Sequence, residues 1–362
     1  MNAIKRQLPN IIVLLCIVAM SIFHFGMSKE KKMDFLFREF DRASEGPGAS
    51  VMVIKDGEIL VKKGYGLADL KRKIPADEYT NYRIASMTKQ FTAMCVMILK
   101  ERGLLTYDTK LTDIFPDFPD YGKDITIKDL LQHTSGLVDF YDFIPENQKE
   151  QLKDEDVFNM YKAENRLKYK PGTKYEYVDG NYVILSNVIE KISGMRFAEF
   201  LQKNIFKPLE MNNTVAYEKG IATVKNRAYG MSKRDGKFIE TDQNLTSATL
   251  GDGGIYTSLM DYYKWDQALY TEKLVSFETL NEAFSNGVKD SGTGDFYGFG
   301  WGYFFSGGKK ILCHTGGTIG FTTVVTRIPS EKLTVVIFTN YNNLDIWRKY
   351  LKPVVKIYSN AM

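Results

Sequence analysis

The chain has 362 residues, of which 44% are hydrophobic and 25% are charged, an ordinary composition for a globular protein. This length allows a large core in one or two domains. The formal net charge of +4 is spread along the chain without a long basic run, which argues against nucleic-acid binding. The three cysteines and three histidines lack the spacing of metal ligands, so the sequence predicts neither a disulfide bridge nor a metal site.

The first 28 residues have the pattern of an export signal. Lys5 and Arg6 precede an apolar run, 11–23, that continues with interruptions to Met27. That run is short for a membrane span, which needs about 20 residues. We therefore expect residues 1–28 to be a signal peptide or an N-terminal membrane anchor, with possible membrane association through residues 11–27. Residues 29–362 are then one exported domain that is periplasmic, secreted or membrane-anchored outside the cytoplasm.

The first predicted elements are a helix and a β-hairpin. Apolar residues at helical spacing predict a helix over 33–43. Two apolar runs, 49–55 and 58–63, flank Asp56-Gly57, which is the signal of a two-residue hairpin turn. Strands therefore precede the long middle part of the chain.

Helices and loops dominate the middle of the chain, and strands return near its end. Helical spacing occurs over 86–102, 181–192 and 197–206, and a last helix is predicted over 344–358. The late strands are predicted at 302–305, 309–313, 321–327 and 333–339. This order predicts an α+β fold in which both ends of the domain build one antiparallel sheet around a large helical block.

Ser86 and Lys89 are the strongest candidates for catalysis. They lie three residues apart at the start of the helix that is predicted to end before Gly103, so both side chains should share its first turn. A serine hydroxyl becomes a good nucleophile when a neighbouring base takes its proton, and a lysine does this in its neutral form. The helix N-terminus also presents N–H groups and a partial positive charge to a developing oxyanion.

The S-x-x-K pattern alone is weak evidence, since it also describes a capped helix with a solvated lysine. It occurs at Ser28/Lys31, Ser86/Lys89 and Ser306/Lys309, and only the middle copy begins a helix after a strand-like run. No G-x-S-x-G is present, which argues against a nucleophile elbow of the α/β-hydrolase kind.

Further motifs follow this pair in a characteristic order. They are ITIKDLLQHTSGL at 125–137, Pro171-Gly172 with tyrosines after it, GDGGIY at 251–256, YGFGWG at 297–302 and HTGG at 314–317. From about residue 33 to 345 the chain resembles the class C β-lactamases, the penicillin-binding DD-peptidases and their esterase and D-aminopeptidase relatives. The resemblance implies a β-lactamase/transpeptidase-like fold and a serine hydrolase that needs no cofactor.

The resemblance also implies roles for individual residues. Ser86 would be the nucleophile and Lys89 its partner, and Tyr177, at the position of the family's Y-x-N tyrosine, would share the proton transfer. The K/H-T/S-G triplet, which the family places on an edge strand, falls on substrate-binding residues: His314, Thr315 and Gly316, followed by Gly317. The backbone N–H groups of Ser86 and Gly317 would form the oxyanion hole.

For four residues near these motifs we expect a structural or bordering role. We expect His133 to be structural, His314 to border the pocket without being the main base, and Asp252 to be a turn residue. Since Cys313 alternates with His314 along a strand, we expect the cysteine to face the core.

Asp179 is the informative departure, because it stands where the family's Y-x-N motif has asparagine. A carboxylate cannot donate a hydrogen bond to a substrate carbonyl, but it can bind an ammonium group. Its negative charge would also favour the protonated form of Lys89. The sequence therefore predicts a substrate with a free amino group near the scissile bond.

The sequence predicts an exported serine hydrolase that forms an acyl-enzyme on D-alanyl esters or peptides, or on related small esters of the cell envelope. Its partner would be a small-molecule or cell-wall substrate. Two alternatives of the same class are a β-lactamase and a promiscuous carboxylesterase. A non-catalytic penicillin-binding or wall-binding protein is an alternative of another class, against which the intact Ser86, Lys89 and Tyr177 argue.

Overall fold

The two ends of the domain meet in one antiparallel sheet. In the computed structural model, which describes residues 27–42, 45–342 and 344–362, strand Ala49–Lys55 pairs with strand Leu333–Thr339, from Ala49↔Thr339 to Lys55↔Leu333. The predicted leader, 1–28, lies almost entirely outside the described residues. None of the helices in those described ranges is long and apolar enough to cross a membrane.

The helices of the described residues are numbered in chain order. They are α1 (Lys29–Arg42), α2 (Lys89–Glu101), α3 (Leu111–Ile114), α4 (Ile127–Leu131), α5 (Asp154–Ala163), α6 (Gly180–Ser193), α7 (Phe197–Leu201), α8 (Leu259–Ala268), α9 (Phe277–Ser285) and α10 (Lys352–Tyr358). Two π-helical segments, Gln202–Phe206 and Trp347–Leu351, adjoin α7 and α10.

The strands are numbered in the same way. They are β1 (Ala49–Lys55), β2 (Glu58–Tyr65), β3 (Leu67–Asp69), β4 (Ile74–Pro75), β5 (Tyr82–Arg83), β6 (Val215–Ala216), β7 (Met231–Arg234), β8 (Lys237–Glu240), β9 (Ile255–Thr257), β10 (Val288–Lys289), β11 (Phe296–Tyr297), β12 (Gly302–Ser306), β13 (Lys309–Thr318), β14 (Phe321–Ile328) and β15 (Leu333–Thr339). The main sheet has the order β10-β11-β12-β13-β14-β15-β1-β2.

The predicted hairpin between β1 and β2 has the geometry that its sequence requires. Asp56 has φ 52° and Gly57 has φ 83°, so both turn residues occupy the left-handed region that two-residue hairpin turns use. Strands from both ends of the chain, with helices between them, confirm the predicted α+β fold.

Helices cover both faces of the main sheet. On one face, α1, the π-helical segment Trp347–Leu351 and α10 bury Phe37, Tyr350 and Val354, respectively, against the strands. On the other face, α2 is buried from Lys89 to Leu99, and its Phe91 stacks on Trp265 of α8 with ring centroids 4.2 Å apart. A helix that is apolar all round belongs in the middle of a large core, and this burial fixes the position of its first turn.

The HTG triplet at 314–316 is predicted to lie on an edge strand of the main sheet, and this prediction is wrong. Strand β13 lies between β12 and β14. Pairing with β12 ends at Gly302↔Cys313, whereas pairing with β14 continues to Thr318↔Phe321. Within the described residues, 314–318 therefore extend past the end of β12, so this half of β13 has a locally free side.

A buried ion pair ties α8 to the main sheet. Arg327 Nε donates to Asp266 Oδ1 at 2.7 Å, and Thr334 Oγ1 donates to the same oxygen at 2.8 Å. Both side chains of the pair are at most 2% exposed. Removal of one partner would leave the other charge buried without compensation.

We expect Asp266→Ala to lower the free energy of unfolding by about 3–5 kcal/mol, because it leaves the Arg327 guanidinium buried without its charged partner. Urea unfolding followed by circular dichroism measures the change. The matched control is Glu39→Ala, which removes an exposed pair with Lys349 and should cost less than about 1 kcal/mol. Equal effects of the two substitutions would contradict this account of the core.

Candidate active site

Ser86 lies in a tight turn at the entrance to α2. The sequence predicts a helix that begins at Ser86, whereas the structure has a 3-10 turn over Ala85–Thr88 and regular α-helix from Lys89. Ala85 has φ 47°, a left-handed conformation that is unfavourable for an L-residue with a side chain. This conformation turns the chain out of β5 and leaves Ser86 partly exposed at the start of the helix.

Lys89 is completely buried, and its ammonium group has three acceptors. Its Nζ lies 3.3 Å from Ser86 Oγ, 2.6 Å from Asp179 Oδ1 and 3.1 Å from the main-chain oxygen of Asp252. An ammonium group has three N–H donors, so these contacts satisfy it fully. The structure thus brings together the predicted nucleophile, the predicted lysine and the aspartate that replaces asparagine.

The charges around Lys89 keep it protonated. Burial by itself lowers the pKa of an ammonium group, but Asp179 and Asp252 outweigh that effect and raise the pKa of Lys89 well above its usual value of 10.5. In the resting site Lys89 therefore donates to Ser86. A base is available to Ser86 only after Lys89 has passed a proton to another group.

Tyr177 lies beside this pair. The Lys89 Nζ is 5.0 Å from the centroid of its ring. Desolvation raises the pKa of Tyr177 to about 12, while its interactions with Lys89 and Ser86 oppose that rise. The phenol is therefore protonated at neutral pH, although 37% of the residue remains exposed. It is placed to donate a proton toward Ser86.

The ring of His133 packs against the ring of Tyr177. The two rings are nearly stacked, with centroids 4.2 Å apart. His133 Nδ1 accepts from the backbone N–H of Val178 at 3.2 Å and faces the Asn181 amide at 3.1 Å, so the proton of the neutral ring is on Nε2. Burial and the charge of Lys89 lower the pKa of His133 well below its usual value, which keeps the ring neutral. The histidine therefore has the structural position that the sequence predicts, with Tyr177 as its neighbour.

His314 is neutral, and both of its ring nitrogens are occupied. Nδ1 donates to the Thr315 carbonyl at 2.7 Å, so Nε2 accepts from the Tyr297 hydroxyl at 3.0 Å. Burial and Lys89 lower the pKa of His314 to about 4. This geometry fits a residue that borders the pocket and does not fit a main base.

The expectation that Cys313 faces the core is wrong. His314 is 7% exposed, whereas Cys313 is only half-buried. Adjacent strand residues do alternate, but helices cover both sides of this sheet, so alternation alone cannot show which side is more enclosed. Cys95, in contrast, is buried, and both cysteines are free.

Gly316 allows β13 to lie directly against the Ser86 turn. A Cβ atom at this glycine would be 2.2 Å from the Ile84 oxygen and 2.3 Å from Thr323 Oγ1. The next residue, Gly317, has open space around the same position, and Thr315 is exposed. The strand thus passes the nucleophile with one glycine packed against the Ser86 turn and the next one in open space.

The structure adds acidic and aromatic residues that the sequence interpretation did not place in the site. The Tyr141 hydroxyl lies 3.5 Å from Asp179 Oδ2, and the Asp252 carboxyl is 7% exposed. Burial and the charge of Asp179 raise the pKa of Asp139 to about 6. The sequence does show that Asp252 is a charged residue beside Gly253-Gly254. The same pattern is also typical of a surface turn, so it does not indicate a site residue. No group of three or more potential metal ligands occurs in the described part of the chain.

Comparisons with known proteins identify the family of this chain. The Beta-lactamase family model matches residues 33–349. A penicillin-binding protein of Bacillus subtilis is 30% identical over 86% of this chain and 72% of its own length. A D-aminopeptidase of Gluconobacter oxydans is 29% identical over 82% of this chain, which spans 56% of that relative. The octameric penicillin-binding protein homologue from Pyrococcus abyssi is 27% identical, with a TM-score of 0.75, over 87% of this chain and 74% of the other.

A serine hydroxyl 3.3 Å from a buried lysine amine, beside a sheet strand, is an arrangement expected of a serine hydrolase. The family match extends over most of the chain, from residue 33 to 349. The chain therefore belongs to the beta-lactamase family and is a serine hydrolase, as its sequence motifs predict.

We expect Gly316→Ala to slow acylation of Ser86 by about 100-fold, since the new methyl group would push β13 away from the nucleophile by an ångström or more. Labelling with a fluorophosphonate probe, quantified by mass spectrometry, measures this rate. Gly302→Ala is the matched control on the neighbouring strand, because its Cβ would meet nothing closer than 3.4 Å. If Gly316→Ala labelled as fast as the control, close packing of β13 on the Ser86 turn would not matter for reactivity.

Proposed function

We propose that the protein is an exported hydrolase that cleaves D-alanyl esters or peptides, or related small esters of the cell envelope, through an acyl-enzyme on Ser86. The observation that carries the proposal is the contact of 3.3 Å between Ser86 Oγ and the buried Nζ of Lys89. Export rests on the leader pattern in residues 1–28. The names of the relatives, a penicillin-binding protein and a D-aminopeptidase, support D-amino-acid chemistry.

The first step is attack of Ser86 Oγ on the substrate carbonyl. The Oγ–H bond breaks as the new C–O bond forms, and the proton passes to Lys89 Nζ. That transfer requires a neutral amine, which Lys89 obtains by giving a proton to Asp179 across their contact of 2.6 Å. The negative oxygen of the intermediate is bound by the N–H groups of Ser86 and Gly317 at the free side of β13.

The second step is expulsion of the leaving group. Tyr177, whose phenol is protonated in the resting site, donates its proton to the departing oxygen or nitrogen and recovers it from Lys89. Water then attacks the acyl-enzyme by the reverse sequence and releases the acid. His314 stays neutral and fixes Tyr297 beside the pocket.

An ammonium group on the substrate would make Lys89 easier to deprotonate. Asp179 Oδ1 holds Lys89, while Oδ2 faces the exposed Tyr141. A substrate ammonium on Oδ2 would share the negative charge that keeps Lys89 protonated, so the pKa of Lys89 would fall when such a substrate binds. The exposed Tyr141 ring can add a cation–π contact to the same group.

A hydrolysis panel tests the proposed function. We expect D-alanyl esters to be cleaved faster than short p-nitrophenyl esters of acids that lack an amine, and nitrocefin to be the poorest substrate. Ser86→Ala should reduce every rate by about 10³-fold or more, because it removes the nucleophile. A wild-type protein that hydrolyses none of these and takes up neither a fluorophosphonate nor a fluorescent penicillin would be a non-catalytic binder.

Asp179→Asn tests the ammonium subsite. We expect kcat/KM for a D-alanyl ester to fall at least about tenfold, which corresponds to the loss of one charge-assisted contact. The matched propionyl ester, which lacks only the amine, should change less than about threefold, because Asp179→Asn removes the acceptor of the Lys89 proton but also removes the charge that keeps Lys89 protonated. Steady-state kinetics of both esters at pH 7 measure the two effects, and an equal fall for both would rule out a role of Asp179 in amine recognition.

A further inference from the structure

Asp252 is a buried acidic residue that the proposed mechanism does not yet use. It belongs to the turn between Gly251 and Gly254, directly before β9, and only 7% of it is exposed. Its carboxyl oxygen Oδ1 is buried and has no hydrogen-bond partner within the described residues. A buried carboxylate oxygen without a donor is destabilising, so this residue calls for a functional explanation.

The backbone of the same turn is fully held in place. Thr92 Oγ1 donates to the Gly251 oxygen at 2.6 Å, Lys89 Nζ to the Asp252 oxygen at 3.1 Å and Arg83 Nε to the Gly253 oxygen at 3.0 Å. These bonds satisfy the turn without any contribution from the Asp252 carboxyl. The side chain is therefore not needed to form the turn, whose main-chain oxygen at Asp252 contacts Lys89.

The neighbourhood of Asp252 contains more acidic groups than basic ones. Burial and the charge of Asp179 raise the pKa of Asp252 to about 7, and Lys89 acts in the opposite direction. Asp154 also faces it, with a carboxylate that already accepts from the backbone N–H groups of Leu250 and Gly251. Other titratable groups act on Lys89 or Asp179 within the described residues. They are Asp139, Tyr141, Tyr161, Tyr175, Tyr177, Tyr182, His133 and His314.

The charges can be added for the groups in contact with Lys89. The ammonium of Lys89 and the carboxylate of Asp179 form a neutral pair at 2.6 Å. An ionised Asp252 adds a negative charge that this pair does not balance, and Asp139, whose pKa is about 6, adds another at neutral pH. The two histidines are neutral, and the tyrosines are protonated at neutral pH, so they do not compensate for it.

We propose that Asp252 is a specificity-determining residue: its ionised carboxyl adds a negative charge that the Lys89–Asp179 pair does not balance, and the ammonium group of the substrate supplies a positive charge that offsets it. The inference rests on the proposed function and assigns a residue that selects among its substrates. Asp252 acts through the field at Lys89 and Asp179 and does not touch the reacting atoms.

This role predicts opposite effects on two kinds of substrate. Without the Asp252 charge, an ammonium-bearing ester loses attraction to the site, so its kcat/KM falls. A neutral ester of the same shape loses nothing, and Lys89 gives up its proton more readily because one negative neighbour is gone. A purely structural role for Asp252 would lower the rates for both esters together.

The test compares a D-alanyl ester and the propionyl ester of the same alcohol in the wild type and in Asp252→Asn. At pH 7 we expect the ratio of their kcat/KM values to fall at least about fivefold in the variant, through a higher KM for the D-alanyl ester. Rates for the propionyl ester should stay equal or rise. Between pH 5.5 and 7.0 the ratio should increase more steeply in the wild type, in which both Asp252 and Asp139 ionise, than in the variant, in which only Asp139 does.

Controls separate this inference from its alternatives. Asp129→Asn removes another nearly buried carboxyl, one that caps α4 through Thr126, and should leave the ratio unchanged. If Asp252→Asn does not fold, Asp252→Ser and the wild-type pH dependence provide the same test. An unchanged ratio, or equal losses for both esters, would overturn the role of Asp252. A wild type that cleaves neither ester, or a Ser86→Ala variant that cleaves both, would instead overturn the proposed function.

Discussion

The buried ammonium of Lys89 is the constraint on which the site depends. Burying a charge is costly unless it is paired and hydrogen-bonded, and Lys89 obtains its partners from three separate parts of the chain. The Ser86 turn, the segment that ends at Asp179 and the Asp252 turn each supply one acceptor. If any of these segments shifted, the buried ammonium would lose a hydrogen-bond partner. The same interaction that stabilises the core therefore also holds the nucleophile in place.

The carboxylate at position 179 changes what this arrangement can do. An asparagine would leave Lys89 less strongly protonated and could donate a hydrogen bond to a substrate carbonyl. Asp179 instead keeps the Lys89 side chain in its ammonium form and attracts a cation. Since one fold serves amidases, esterases and lactamases, such local charges are a more informative guide to substrate than the fold itself. We propose that Asp179 and the buried Asp252 together favour a substrate that carries its own ammonium group.

The sequence predicted the parts of this structure that depend on local pattern. The β1–β2 hairpin, the α+β order and the Ser86–Lys89 pair follow from turn residues, periodicity and a spacing of three. The locally free side of β13 could not be predicted, since it depends on where β12 ends. The burial of His314 escaped prediction because helices cover both faces of the sheet. Asp252 was missed because an acidic residue before two glycines is also the ordinary composition of an exposed turn.

The most direct test follows the protonation of Lys89 itself. Proton and carbon resonances of the Lys89 ε-methylene group, assigned by comparison with a Lys89→Arg variant, report whether the amine carries its proton. The account predicts the ammonium form up to and beyond the usual lysine pKa of 10.5 in the free wild-type enzyme, and a lower pKa in Asp179→Asn. A wild-type Lys89 that titrates near pH 7 or 8 would contradict it, because the amine would then be a base without help from Asp179 or the substrate.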